Sequence, residues 1–449
     1  MEETKKTDYE KSSVATKNVF SRRVTLTTAS LIVVIVSIII ISVLTTAYFS
    51  YRESSQDLFA DSDAQNEPNT ASSLPRNERI ELKTDLSKAL HNSIISGGDF
   101  LVRMQNPDGS YKYEYFPETD TYSSDNNILR HAGVVYSLAM LYQYNHEQKY
   151  LDSAKKGADF LLQHVEHIDD DTAYIFHDDD AKLGGAGLAV VALAELETIE
   201  RTGKYLDDIK DLTNFILFMQ EDTGKYKSYY IYNGEDDYDE DSYIYPGEAM
   251  LALVRAYSLL EDQRYLASVE KAYDHYSIAF AQDPTTEFTP WTAQAFARLY
   301  EISPKQKYAD FVFQMEDWLI GQQYLNNAPR PEYLGAYGTM SIPSITAGVR
   351  TEGVSDAYLL AKQLGYEEKE QRYKKSILLA MNFLMQLQHK KESVTMYQDP
   401  EEAVGAFVYK VGDTATRVDH TQHGISAMIK TLMYVPPEEV TIEPYLTEP

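Results

Sequence analysis

The 449-residue chain contains no cysteine and only two tryptophans. The first absence excludes disulfides and thiolate metal sites. Positive charge is scarce as well: 41 Lys and Arg stand against 69 Asp and Glu, a formal net charge of −28. So acidic a surface repels nucleic acid and other polyanions at long range, so no nucleic-acid partner is expected; a locally positive pocket remains compatible with it. Convincing strand runs are few. Long apolar runs are missing too, with one exception. From Val24 to Tyr51 no residue is charged, and the middle, Leu31 to Leu44, is almost wholly aliphatic. About 20 apolar residues suffice to cross a bilayer, whereas a cleavable signal has a shorter apolar core.

Residues 24–50 are therefore expected to form a transmembrane signal anchor. Six basic residues precede it (Lys5, Lys6, Lys11, Lys17, Arg22, Arg23), and the first thirty after it hold three (Arg52, Arg76, Arg79). That bias keeps residues 1–23 in the cytoplasm and puts the C-terminal bulk outside. Residues 51–80, rich in Ser, Asp, Asn and Glu, read as a flexible stalk. The folded domain is expected over 81–435, with a short tail over 436–449.

What is plentiful is tyrosine, with 36 copies. Much of it marks an internal repeat. A basic residue followed by Tyr opens a helical segment at Lys149-Tyr150, Lys204-Tyr205, Arg264-Tyr265, Lys307-Tyr308 and Arg372-Tyr373. Several such segments close with an aromatic residue five before a glutamine: Phe100 and Gln105, Phe215 and Gln220, Trp318 and Gln323, Phe383 and Gln388. These segments are one-sided; in the first, Leu151, Ala154, Ala158 and Leu162 form one face. Six others, near 126–144, 184–202, 245–261, 289–302, 345–364 and 420–433, are apolar nearly all round, and such helices are buried on all sides. Alternation of the two kinds predicts an all-α fold, a closed (α/α)6 double ring of twelve helices. Inner helices would then start at one common end, where positive dipole ends converge.

This arrangement resembles the α/α-toroid proteins, among them six-hairpin glycosidases, terpenoid cyclases, protein prenyltransferases, LanC-type cyclases and the C-terminal domain of glucuronyl C5-epimerases. Gln105-Asn-Pro-Asp-Gly-Ser-Tyr111 and Gln220-Glu-Asp-Thr-Gly-Lys-Tyr226 are similar to the Gln-Trp repeat of terpenoid cyclases, with Tyr for Trp; they also read as plain helix stops followed by turns. Gln422-His-Gly-Ile-Ser-Ala-Met428 resembles a stretch in the last helix of the C5-epimerases. Ile168-Asp-Asp-Asp-Thr-Ala173 is similar to the acidic motif of class II cyclases but has Ile where the first Asp belongs, and zinc-dependent toroids need a Cys ligand. The resemblance implies a fold and leaves the chemistry to the site.

Candidate site residues are the polar groups at inner-helix starts. Glu248, Glu352, Asp419, His420 and His423 are the expected catalytic groups, as acids and bases. Arg130, His131, Tyr243, Tyr245, Trp291, Tyr337, Arg350, Arg417 and Gln422 are the expected substrate-binding groups, the arginines as clamps for a carboxylate and the aromatics as platforms for sugar rings. Each also has a plain structural reading: Asp419 as a helix cap, the arginines as ion pairs. No metal or cofactor is expected; the acidic run 235–241 matches no calcium-loop spacing. The leading expectation is a membrane-anchored, extracytoplasmic protein acting on a glycan, as a hydrolase or a uronate epimerase or lyase. A non-catalytic glycan-binding scaffold of an envelope polysaccharide system and a terpenoid- or lipid-processing toroid stand as alternatives. A wet, charged cleft would favour the first and a dry aromatic cavity the last.

Overall fold

The computed structural model describes residues 81–232, 241–338 and 341–446. The expected anchor over 24–50, the cytoplasmic tail, the stalk and most of the acidic run 235–241 lie outside the described residues. Among the described residues no helix is long and apolar enough to cross a membrane.

Twelve long helices dominate the described chain: α1 (Asp85–Arg103), α2 (Ile128–Asn145), α3 (Gln148–Leu161), α4 (Leu183–Glu200), α5 (Leu206–Phe218), α6 (Tyr245–Leu260), α7 (Gln263–Gln282), α8 (Thr289–Ile302), α9 (Gln306–Ile320), α10 (Thr346–Gln363), α11 (Glu367–Leu384) and α12 (Val418–Tyr434). Local chemistry starts several of them. A reciprocal Thr84–Ser87 capping box opens α1. Proline occupies the first turn of α6 and α8, where no amide partner is lost. The even-numbered helices form the inner ring: α2 packs on α4, α4 on α6, α6 on α8, α8 on α10, α10 on α12, and α12 returns to α2. Each odd-numbered helix backs one of them, α1 against α12 and α3 against α2, and so on round the ring. In α4 every residue from Leu183 to Glu197 is buried, as a helix enclosed by neighbours requires.

Both sequence repeats have a structural cause. The basic-Tyr pairs tie each outer helix to the one before it. Lys149 reaches Asp99 of α1 at 2.6 Å and the Tyr150 hydroxyl donates to it at 2.9 Å. Arg372 and Tyr373 hold Asp317 of α9 in the same way, at 3.1 and 2.9 Å. All five tyrosine rings are fully buried, so each contributes apolar area and a satisfied polar tip.

The glutamines act as staples. Gln105 Nε2 donates to the carbonyls of Gly109 (3.2 Å) and Ser153 (2.8 Å). Gln220 does so to Gly224 and Ser268, and Gln323 to Gly335 and Ser376. Gln388 joins Gly405 (3.0 Å) to Ser93 (2.9 Å) of α1, closing the ring between its last and first hairpins. In each the glycine has positive φ. At Gly405 a Cβ would stand 2.0 Å from the Ser96 carbonyl, so no other residue fits that turn. The turns are more than helix stops: they bind neighbouring hairpins together. Their longer versions at Gln323 and Gln388 escape the compact spacing seen at Gln105 and Gln220.

Among the described residues seven short strands join the ends. β1 (Glu114–Phe116) pairs antiparallel with β2 (Thr121–Tyr122) and with β7 (Thr416–Arg417), setting Glu114 opposite Arg417. β3 (Val165–Asp169) pairs with β4 (Thr172–Ile175), and β5 (Ala181–Lys182) with β6 (Tyr229–Ile231). The segment 165–175, similar to a cyclase motif in sequence, is this β3–β4 hairpin, with Asp169 and Asp171 exposed. The domain also runs past the expected boundary at 435. Val440 is buried, its carbonyl accepts from the Thr84 hydroxyl, and Glu438 lies 3.4 Å from Lys83.

Candidate active site

The N-terminal turns of the inner helices meet at one end of the torus. Gly348 on α10 abuts the His423 backbone of α12, where a Cβ would come within 2.9 Å. That bare contact lets the two helices close up, and Glu352, one turn further along the same face of α10, receives His423 Nδ1 on its Oε1 at 2.9 Å. Glu352 is fully buried and its Oε2 has no partner, whereas the His423 side chain keeps 14% of its surface open. Glu352 therefore orients His423 and acts through it, rather than meeting a substrate itself. Trp291 of α8 stands edge-on to the His423 ring at 6.3 Å, and Gln422 Nε2 lies 3.3 Å from its Nδ1.

A second group surrounds Asp419. Arg417 grips it through Nε at 2.9 Å and Nη2 at 2.5 Å, and Arg130 approaches to 3.4 Å. Burial alone would raise the Asp419 carboxyl, but Arg130, His420 and Arg417 outweigh it and hold the group well below the usual carboxylate range. Arg130 and Arg417 stay about one-third open, and Arg417 also covers the Tyr113 ring. Glu114, across the β1–β7 ladder from Arg417, adds a second carboxylate to this cluster, so two guanidinium groups face two acids. His420 packs against Tyr409 at 5.5 Å, and its Nδ1 has no partner. Burial, helped by Arg417 and Arg130, outweighs the opposing pull of Asp419 and holds its pKa down at about 4, so it is neutral at pH 7.

Glu248, in the first turn of α6, is the third group. It is buried, its Oε2 is unpartnered, and burial pushes its pKa up to about 8 against the opposing pull of Arg130. The bare Cα of Gly184 leaves space for its carboxyl beside the Tyr245 ring. At neutral pH the mouth thus holds a protonated carboxyl, an ionised carboxylate and a carboxylate-oriented imidazole. Such opposed protonation states are what acid–base chemistry requires.

Three expected binding residues are placed elsewhere. His131 turns outward: its Nε2 meets the Gly157 carbonyl of α3 at 2.7 Å, between the Tyr111 and Phe160 rings. It sits on the face of α2 that packs against the outer ring. Tyr337 is buried at 2% exposure beneath Arg350, because it is the aromatic end of the Gln323 staple, and no sugar ring can stack on it. Arg350 is buried as well, held by the Thr286 hydroxyl at 2.9 Å with Glu287 at 3.8 Å. Trp291 is a wall for His423 rather than an open platform, at 4% exposure. Tyr243 is half exposed, and Tyr245 packs edge-on against Tyr229 at 6.1 Å.

One mouth pair was not anticipated. The second inner helix offered no candidate, yet Asp180 and Lys182 immediately before it form an ion pair of 2.9 Å, with Asp180 buried. The hint was His177-Asp-Asp-Asp180 abutting a wholly apolar helix. Among the described residues no group of three or more His, Asp or Glu is arranged to hold a metal ion.

No protein-family model matches the chain, and no curated protein matches it. Solved structures do. An inactive variant of an α-1,6-mannanase from Salegentibacter, in complex with α-1,6-mannotetrose, superposes with a TM-score of 0.56 at 10% identity, over 78% of this chain and 100% of that one. A sugar epimerase from a ruminal bacterium gives 0.57 at 12% identity, over 77% and 98%. An unsaturated glucuronyl hydrolase specific for heparin gives 0.55 at 9%, over 77% and 96%. The fold is therefore the α/α toroid that these structures share.

Proposed function

We propose that the protein is a carbohydrate-active enzyme that moves protons at a uronate residue of a glycan, as an epimerase does. The observation carrying this reading is the buried Glu352 carboxylate holding His423 at 2.9 Å in a mouth that also contains a neutral Glu248. His423 takes the proton from the ring carbon bearing the carboxylate. The electron pair delocalises into that carboxylate, which Arg130 and Arg417 hold. A protonated group, Glu248, returns a proton to the same carbon, so no oxidant or co-reactant is consumed. The carbohydrate-active names of the similar structures support the reading, including the one naming a sugar epimerase.

A second reading is favoured by the opposed states of Glu248 and Asp419, an acid and a base as glycoside hydrolysis requires. Incubation with uronate-containing oligosaccharides in D2O separates the two. Epimerisation places deuterium at the ring carbon without new reducing ends; hydrolysis creates reducing ends without deuterium. Neither signal, together with retained glycan binding, would leave the scaffold alternative. The charged mouth disfavours a terpenoid or lipid substrate.

The enzyme works outside the membrane, tethered by residues 24–50, on an envelope or extracellular polysaccharide. The uncharged run with basic residues on its N-terminal side supports this. Protease added to intact cells then digests the domain, and full protection would overturn the orientation.

A further inference from the structure

The opposite end of the torus, where the inner helices finish, holds a cavity of about 910 Å3. That volume suits a small organic molecule. Its walls are chemically mixed. Tyr136 and Tyr434 offer ring faces, Gln294 a side-chain amide, and Arg255, Arg298 and Lys430 positive charge. Much of that charge is committed. Arg255 pairs with Glu195 and donates to the Tyr136 hydroxyl at 3.3 Å; Lys430 holds Asp356 at 3.0 Å and Gln294 at 2.7 Å. Arg298 differs: its charge is felt by Glu301, three residues on, and by Tyr434, and no side-chain hydrogen bond engages its guanidinium among the described residues. The Arg255 Nε is buried without a partner. Arg201, Glu195, Glu197 and Asp356 also line the cavity, and with Glu301 near Arg298 four cations face four carboxylates, a balance unlike the acidic excess of the whole chain.

We infer that this cavity is a second binding site, for a small carboxylated sugar about the size of one or two uronate residues. The Arg298 guanidinium supplies the carboxylate contact and the tyrosine rings the faces on which a pyranose lies. The site is separate from the mouth. The wall between them is the turn of α10 in which Glu352 turns its side chain to His423 while its carbonyl accepts from Lys430 at 3.3 Å. The uronate reading of the mouth guides only the choice of probe.

The test is calorimetric titration of the full chain in mild detergent with sodium D-glucuronate, and with D-glucose as the neutral control. It is run in an Arg130→Ala background that weakens the mouth. Glucuronate is expected to bind, with glucose at least tenfold weaker. Arg298→Ala weakens glucuronate binding at least tenfold, as does Leu259→Trp, which fills the cavity without touching a charge. Turnover by Arg298→Ala in the otherwise unaltered chain stays within twofold at saturating substrate. Absence of glucuronate binding, or binding unchanged by both Arg298→Ala and Leu259→Trp, overturns the inference. Failure of the mouth reading would show separately, as turnover unaffected by His423→Ala.

Discussion

The two ends of the torus are built from the same six inner helices yet hold charge in opposite ways. On α6 the acid Glu248 lies at the start and Arg255 near the end; on α12 Asp419 lies at the start and Lys430 near the end. The carboxylates stand in the first turn, where the helix dipole favours them, whereas neither cation reaches the last turn and each is held by a side-chain acid instead, Arg255 by Glu195 and Lys430 by Asp356. At the far end Lys430 is fully engaged with Asp356, Gln294 and a carbonyl. At the mouth, Glu248, Glu352 and His420 each keep a buried polar atom without a partner. Unmet hydrogen-bonding capacity is costly in a stable core, and a ligand at the mouth would supply these missing partners; the far end leaves the Arg255 Nε in the same state.

The sharpest way to break that contrast is to remove His423. His423→Ala is expected to lower turnover by roughly a thousandfold or more, while the melting temperature moves by a few degrees at most. Glu352→Gln keeps the shape but loses the charge behind the imidazole, and turnover falls by about 10- to 100-fold with an altered pH profile. A large fall in melting temperature with turnover preserved would make the pair structural.

At the far end the same kind of change should act on stability instead. Lys430→Met leaves Asp356 and Gln294 without their cation in a largely buried setting. The expected loss is about 3 kcal/mol, read by denaturant unfolding, and Lys430→Arg should recover part of it. An unchanged midpoint would show that this network adds nothing to stability.

Glu248 sharpens the comparison through pH. Its folded pKa of about 8 lies above the ordinary carboxylate value of 4.5. Between those values the unfolded chain releases this proton and the folded chain keeps it. Its contribution to stability is therefore full below pH 4.5, is lost progressively as pH rises, and levels off above about 8. Glu248→Gln should flatten that slope and raise the melting temperature at pH 8 by a few degrees. His420 runs the other way: held down at about 4, it costs stability as pH falls from about 6.5 towards 4.

The smallest expected effect lies outside both ends. Gln388→Ala removes two hydrogen bonds of the closing staple and should cost about 2 kcal/mol, measured by denaturant unfolding. The same change at Gln105 serves as the internal control within one ring.

How much of this was legible in the chain varies by residue. Helix positions were, because a wholly buried helix such as α4 and a one-sided helix such as α3 have different periodicities, and their alternation repeats. The run expected near 345–364 is α10, Thr346–Gln363. Side-chain direction was less so. His131 and Arg130 are neighbours, yet one faces α3 and the other Asp419. The Glu352–His423 pair spans 71 residues and nothing local announces it. Tyr337 was taken for a sugar platform because its staple is stretched by a long insertion after Gln323. The far-end cluster was missed for a different reason: a Lys or Arg midway along a helix resembles any solvated charge until its neighbours are known.

The staple from Gln388 to Ser93 joins residues 295 apart in the chain. Six hairpins made largely of local contacts can form one after another as the polypeptide emerges, but α1, tied early to α3, lacks the inner helix it backs until α12 arrives. The last helix carries Asp419, His420 and His423, so the step that completes the architecture also completes the reactive centre. A chain halted before residue 418 would hold most of its helices and none of its imidazole chemistry, and assembly itself thereby guards against premature activity.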